Sequence, residues 1–335
     1  MKLLMLGGTR FVGRVVVDDA LARGWEVTVL HRGHTGVAPA GADVLHLDRT
    51  DPVALADAVD DRRWDLVVDT WAGPPLVATE SAAVLKDHVD RYAYVSSGSV
   101  YRWGQHVDEC SPVVDAESTS DSDYDYSAAK RGAELGVLAS FPDALLARAG
   151  LILGPHEDIG RLPWWLQRIA AGGRIVAPGV PDRPLQYVDA RDAASFVLSG
   201  LESGLCGAYD VISPSGHATT AELLQACIDV TASEAELVWI DFDRLAGAGA
   251  QPWTHLPCWV PQTGEWAGFL ESDTSQAARA GLDCRPIGST VQDTWEWMRR
   301  ESSLRDDRTD MLPPQRADRP VHGLPPEIER ALLDD

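Results

Sequence analysis

The chain has 335 residues, 45% of them hydrophobic, enough for one large domain or two interlocked ones around a sizeable core. Its formal charge of −22 and pI near 4.7 oppose nucleic-acid binding and docking on an anionic membrane surface, both of which need a basic face. Five dispersed cysteines (Cys110, Cys206, Cys227, Cys258, Cys284) form no C-x-x-C pair and no zinc-type spacing, so they read as reduced thiols with no metal site. Met1–Leu6 runs straight into glycines without a signal-peptide pattern, and no apolar run approaches a membrane span, so a cytoplasmic protein is expected.

In chain order, Lys2–Leu6 reads as a buried strand, followed by a Gly-rich turn and a helix from about Phe11 to Arg23. Further strands are expected at Glu26–Leu30, Asp43–Leu47, Leu66–Asp69, Tyr92–Ser96 and Ala144–Arg148. Helices are expected at Pro52–Asp60, Ala78–His88 and Tyr124–Ala139. This alternation predicts an α/β protein with a doubly wound parallel sheet, whose ligands lie beyond the carboxyl ends of the strands. After Gly154-Pro155 the pattern loosens. Helices are expected near Leu162–Ala171, at Ala190–Ser203, at Thr219–Val230 behind a Thr219-x-x-Glu222 capping box, and at Val291–Arg299. Short strands are expected at Arg174–Val176, Ala208–Ile212 and Leu237–Ile240. The organisation predicted is a nucleotide-binding domain over residues 1–153, with 185–204 packing back on it. A smaller α/β substrate-binding region over 154–300 follows, then a charged, Pro-rich tail over 301–335, extended apart from a short helix from Glu327.

The run Leu6-Gly7-Gly8-Thr9-Arg10-Phe11-Val12-Gly13 lies between the first strand and the first helix, where a dinucleotide-binding glycine turn belongs. Gly7 allows the tight turn, the helix start favours a pyrophosphate, and Gly13 permits close helix–strand packing. Arg10 stands where the usual spacing has its middle glycine. The second strand ends in His31-Arg32-Gly33, where an NAD-specific site would carry an acid for the ribose 2′-hydroxyl. Two guanidiniums, Arg10 and Arg32, suit a 2′-phosphate instead, so NADP is expected over NAD. Asp48 and Arg49 after the third strand, and Trp71-Ala72 after the fourth, are further candidates to line the cofactor.

Tyr126-Ser-Ala-Ala-Lys130 places a phenol and an ammonium on one helix face. With seven tyrosines and only three lysines in the chain, such a spacing is expected by chance roughly 0.06 times. About thirty residues earlier, the fifth strand runs into Tyr94-Val-Ser96-Ser97-Gly98-Ser99-Val-Tyr101. Glycine turn, serine strand and Tyr/Lys helix together resemble the short-chain dehydrogenase/reductase superfamily, in its extended or atypical branch of NAD-dependent epimerase/dehydratase proteins. The runs Tyr126–Glu134, Arg148–Pro155 and Leu185–Asp192 are similar to that family as well.

The resemblance implies a Rossmann-type sheet and an enzyme that moves hydride and proton together. Tyr126 would be the general acid/base, Lys130 its cationic partner and ribose ligand, and Ser97 the group that orients the substrate oxygen. A free phenol titrates near pH 10, and an adjacent cation favours the phenolate. Ser96 and Ser99 are alternatives to Ser97, and Leu151 belongs to the cofactor set. Glu134 reads as a helix-surface partner of Lys130. Dehydratases of this group carry Asp-Glu where Gly98-Ser99 stand here, so elimination of water is not expected. The function expected is oxidoreduction at a secondary alcohol or ketone of a sugar-like or specialised metabolite. The alternatives are a nucleotide-sugar (or related) epimerase that retains its cofactor and a non-catalytic nucleotide-sensing or RNA-binding relative. A homodimer fits the resemblance. Substrate contacts are sought among Ser99, Arg161, Trp164, Trp165, Gln186, Trp253 and His255, with Arg168 and Arg183 as further cations for an anionic group.

Overall fold

The computed structural model describes residues 1–34, 36–104, 107–123, 125–303, 311–315 and 320–334. Tyr124, the expected first residue of the Tyr/Lys helix, and much of the expected tail lie outside these residues. Seven parallel strands form the central sheet: β1 (Lys2–Leu6), β2 (Glu26–His31), β3 (Asp43–His46), β4 (Trp64–Asp69), β5 (Val89–Ser97), β6 (Leu145–Ala149) and a late edge strand, Gly207–Val211. Their spatial order is the edge strand, then β6, β5, β4, β1, β2 and β3. The chain therefore reverses its direction of travel between β1 and β4, and the crevice opens there at the carboxyl ends.

Alternation along the strands buries one apolar layer on each face of the sheet. Leu3, Met5, Val27, Val29, Leu66 and Val68 face α1 (Phe11–Ala22) and the later helix Ala190–Ser203. Leu4, Leu6, Leu30, Val67, Tyr92 and Tyr94 face α2 (Pro52–Val59), α3 (Pro75–Leu85) and α4 (Tyr126–Ser140). Both sets are buried, as a sheet covered on both faces requires. Helix α3 starts at Pro75 rather than near Ala78, because proline at the first helical positions costs no hydrogen bond there. A close approach holds α4 in place: a Cβ on Gly132 would lie 2.6 Å from the Glu117 carbonyl oxygen.

After β6 come β7 (Ile152–Leu153), α5 (Arg161–Ala170), β8 (Arg174–Pro178), β9 (Pro184–Leu185), β10 (Val188–Asp189) and α6 (Ala190–Ser203). The edge strand is β11 (Gly207–Val211), followed by β12 (Ala218–Thr219), α7 (Thr220–Thr231) and β13 (Glu236–Ile240). Then follow α8 (Phe242–Gly247), α9 (Ser275–Arg279), α10 (Ile287–Ser303) and α11 (Pro326–Asp334). The capping box at Thr219 and Glu222 is present, and Asp189 caps α6 through the Arg191 amide. A second core, with Leu162, Trp165, Leu166, Leu224, Val291 and Met298, joins α5, α7 and α10. Helix α11, the short helix expected from Glu327, starts one residue earlier and docks Leu332 in a cluster with Val176 and Trp259. Among the described residues no helix is long and apolar enough to cross a membrane.

Candidate active site

One cavity of about 810 Å³ runs from the glycine turn to the second core. At its first end, Gly7 and Gly8 turn the chain at φ +111° and +90°. A Cβ on Gly13 would sit 2.8 Å from the Gly8 amide nitrogen, so only glycine lets α1 start this close to β1. Arg10 has extended backbone (φ −139°) and precedes the helix without a side-chain cap, so the position needs no glycine on conformational grounds. Its guanidinium reaches Asp158 at 3.5 Å. The first turn of α1 has no acidic residue. Uncapped N–H groups at a helix start facing a cavity fit a pyrophosphate. Gly7, Thr9, Arg10, Phe11, Val12, Gly13, Arg32, Ala72 and Leu151 all line this cavity. Phe11 holds φ +32°, a strained value for a bulky residue, and buries its ring against the α1 core.

Three expected cofactor residues are placed otherwise. Arg49 is buried behind the sheet, forked onto Asp69 at 2.6 and 2.8 Å, with Nε on Ser81 Oγ. The Tyr92 hydroxyl and the Trp71 amide also donate to Asp69, so Arg49 is committed to a structural cluster and does not reach a ligand. Burial opposes ionisation of Asp69, but the Arg49 charge and these hydrogen bonds outweigh it and hold the carboxyl below its usual range. Asp48 accepts from the amide and hydroxyl of Thr50, pairs with Arg32 at 3.8 Å, and does not line the cavity. Trp71 sends its indole N–H to the Pro74 carbonyl, and its neighbours Thr70 and Ala72 line the cavity in its stead.

At the middle of the cavity, β5 delivers Ser97 and α4 delivers Tyr126 and Lys130, all on the lining. Ser97 Oγ accepts from the Ser99 amide and contacts Ser99 Oγ, both at 3.1 Å, which fixes its rotamer. Tyr126 is the first residue of α4, whose start is capped by Asp125 through the Ser127 and Ala128 amides. One turn on, Lys130 is 4% exposed. Its Nζ donates to the Trp71 carbonyl at 2.6 Å and the Val95 carbonyl at 2.7 Å, and lies 4.6 Å from the centre of the Tyr94 ring. The carboxyl ends of β4 and β5 thus hold the ammonium beside the phenol.

Glu134 is not a surface partner. It is fully buried and accepts from Ser96 Oγ, from Arg131, and from Arg148 through two nitrogens. Burial works to raise its carboxyl, but Arg148, Ser96 and Arg131 together bring it below the usual carboxylate range. Ser96 also lines the cavity, but its hydroxyl is given to Glu134, which leaves Ser97 and Ser99 as the β5-end serines able to orient a substrate oxygen.

The far end contains some of the expected substrate residues and excludes others. Ser99, Arg161, Gln186 and Trp253 line it. Arg161 is bound by Glu157 at 2.9 Å and lies over the Trp253 ring. Gln186 spends its amide on Ser213 and Ser272. Trp165 is in the second core with its N–H on the Pro257 carbonyl, and Trp164 packs beside it. His255 accepts from the Gln251 amide and does not line the cavity. Arg168 is held by Glu329 of α11 and Arg183 by Glu271, both away from the lining. Sequence spacing gave no signal for Tyr101, Trp103, Asp210, Phe269 or His322, which line the cavity as well. Phe269 stacks with both Trp103 and Trp253, and His322 bonds the Trp253 carbonyl, so distant segments build this wall. Among the described residues no group of three or more His, Cys, Asp or Glu is set to hold a metal.

The WbmH enzyme of Bordetella bronchiseptica, solved with NAD+, is similar with a TM-score of 0.68 at 18% identity, over 89% of this chain and 98% of that one. The UDP-glucose 4-epimerases of Thermotoga maritima, solved with UDP-glucose, and Thermus thermophilus, solved with NAD, score 0.65 and 0.62 at 17% and 21% identity. They cover 90% and 89% of this chain and 99% and 98% of their own. At these identities the likeness is one of fold. No curated protein sequence matches the chain. The profile of the NAD dependent epimerase/dehydratase family matches residues 3–210, more than half of the chain and the whole span from β1 through Ser97, Tyr126 and Lys130. Sheet order, glycine turn and sequence profile therefore agree: the chain belongs to the NAD-dependent epimerase/dehydratase family.

Proposed function

We propose that this protein epimerises a carbinol carbon of a sugar-like or specialised metabolite through transient oxidation, with a retained nicotinamide dinucleotide. The observation that carries the reading is the placement of Ser97, Tyr126 and Lys130 on one wall, between the glycine turn and an enclosed aromatic end. The family and the epimerases among the similar structures support inversion over net redox chemistry. When bound, the nicotinamide supplies acceptance and return of hydride. Tyr126 takes the proton of the substrate hydroxyl and gives it back, and the Ser97 hydroxyl orients that oxygen. Lys130, held by two main-chain carbonyls, keeps positive charge beside the phenol. Gly98 and Ser99 supply neither acid nor base for loss of water. Nucleotide released from the purified protein on denaturation is expected to be a stoichiometric nicotinamide dinucleotide. The loaded enzyme is expected to interconvert epimers with no net change in reduced nicotinamide. Steady consumption of added reduced cofactor would replace this reading with that of a reductase.

That second reading draws on the cofactor end. Arg10 and Arg32 both line the cavity, and their contacts to Asp158 and Asp48 are long, at 3.5 and 3.8 Å. We assign them to a 2′-phosphate, and so favour NADP, although WbmH and the Thermus enzyme were solved with NAD. Arg32→Ala is expected to weaken NADP at least about tenfold, the scale of one charge-assisted hydrogen bond, and to change NAD little. Calorimetric titration of both nucleotides checks this, and equal wild-type affinities would contradict it.

A further inference from the structure

Asp210 is the fourth residue of β11, beside Arg148 of β6 in the sheet register, at the carboxyl end that opens into the cavity. It is 2% exposed. Its Oδ1 accepts from the Tyr101 hydroxyl at 2.6 Å, and its amide donates to Glu109. Its Oδ2 is buried without a hydrogen-bond partner. Its cationic neighbour does not answer it: Arg148 sends one nitrogen to the Tyr101 oxygen and two to Glu134. A buried acceptor left unpaired is destabilising and calls for an explanation, and a donor brought by a ligand supplies one.

The charge around it points the same way. The two guanidiniums lining this half of the cavity, Arg148 and Arg161, are each neutralised by a fully buried carboxylate, Glu134 and Glu157. Phe269, between Trp103 and Trp253, adds an aromatic wall, and the neighbouring Gln186, Thr254, Ser272 and His322 bring no carboxylate or guanidinium. Such a site is poorly matched to the two negative charges of a nucleoside diphosphate. It suits a neutral or aminated polyol whose O–H or N–H meets the carboxylate.

Resting on the catalytic reading above for the location of the substrate, we infer that Asp210 is a specificity-determining residue that accepts a hydrogen bond from a hydroxyl or amino group of a substrate lacking a nucleoside diphosphate. Burial, with the charges of Glu109 and Asp108, pushes the Asp210 carboxyl up to about 7, against the Tyr101 hydrogen bond and the Arg148 charge. The acceptor is therefore fully ionised only above neutrality.

Asp210→Asn tests this directly. Asparagine keeps an acceptor for Tyr101 but turns the second oxygen into a donor, so the fold survives and the polarity toward the ligand reverses. The cofactor-loaded full-length protein would be titrated by calorimetry and ligand-observed NMR with methyl glucoside, glucosamine and UDP-glucose. Wild type is expected to bind at least one of the first two more tightly than UDP-glucose, and Asp210→Asn to bind it at least about tenfold more weakly. For methyl glucoside, which does not itself titrate, wild-type affinity is expected to rise from pH 6 to 8, and the variant's to stay flat. A preference for glucosamine alone identifies the donor as an amine; methyl glucoside alone identifies a hydroxyl. Tightest binding of UDP-glucose, binding of none of the three, or equal binding by wild type and Asp210→Asn would overturn the inference. Epimer interconversion is assayed separately and does not enter this binding readout, so a failed catalytic reading would leave the binding result standing.

Discussion

Tyr126→Phe is expected to lower turnover by about 10²–10⁴, the usual contribution of a positioned proton donor and acceptor. The protein should remain folded and keep its cofactor. The phenol is partly exposed at the start of α4, and the helix cap is made by Asp125 to the amides of Ser127 and Ala128, not by Tyr126. Removing one hydroxyl therefore leaves the cap in place, and the melting temperature should move by no more than about 2 °C. Lys130→Met gives a different signature. It strips the donor from two carbonyls at the ends of β4 and β5 and buries them unpaired, so stability and activity fall together. Single-turnover kinetics beside thermal denaturation separate the two cases. Full turnover by a folded Tyr126→Phe protein on an identified substrate would remove the proposed chemistry.

The parts of the molecule that the sequence makes legible are those whose cause is local. The parallel sheet follows from short apolar runs spaced by helical patterns, and the glycine turn from its place between β1 and α1. Tyr126 and Lys130 could be paired because four residues make one helical turn. What was illegible depends on contacts far apart in sequence. Glu134 also lies one turn from Lys130, but spacing does not say which face is buried, and its partners Ser96 and Arg148 come from two other strands. Arg49 follows a strand, as a cofactor ligand would, yet Asp69 twenty residues later claims it. Trp164 and Trp165, candidates for substrate contact, sit on an amphipathic helix whose apolar face meets the second core, so they pack there and not on the cavity. The wall of Trp103, Phe269 and His322 has no sequence spacing at all, because three segments meet only in the folded chain.

The largest effect on stability is expected at Glu134. Glu134→Ala should cost about 3–5 kcal/mol, the scale for removing one partner of a buried ion pair. The loss goes beyond one bond, since Arg148 at 6% exposure loses two acceptor contacts and Ser96 and Arg131 lose one each. The Glu134 carboxyl lies below the usual range in the folded state, so its stabilisation is fully present above the unfolded carboxyl pKa and disappears as pH falls through the folded one. Denaturant unfolding should therefore show a wide gap between wild type and Glu134→Ala at pH 7 that narrows on the acid side. A paired replacement, Glu134→Leu with Arg148→Met, should be milder than Glu134→Ala, because no charge is then left buried and alone. The cycle through the two single variants should give a coupling of about 0.5–3 kcal/mol, and strict additivity would contradict the buried pair. Ser96 precedes Ser97 on β5, so the cluster also anchors the strand that presents the serine proposed to orient the substrate. The paired variant, once folded, should accordingly lose turnover while its affinity for the dinucleotide, bound at the other end of the cavity, stays near that of wild type.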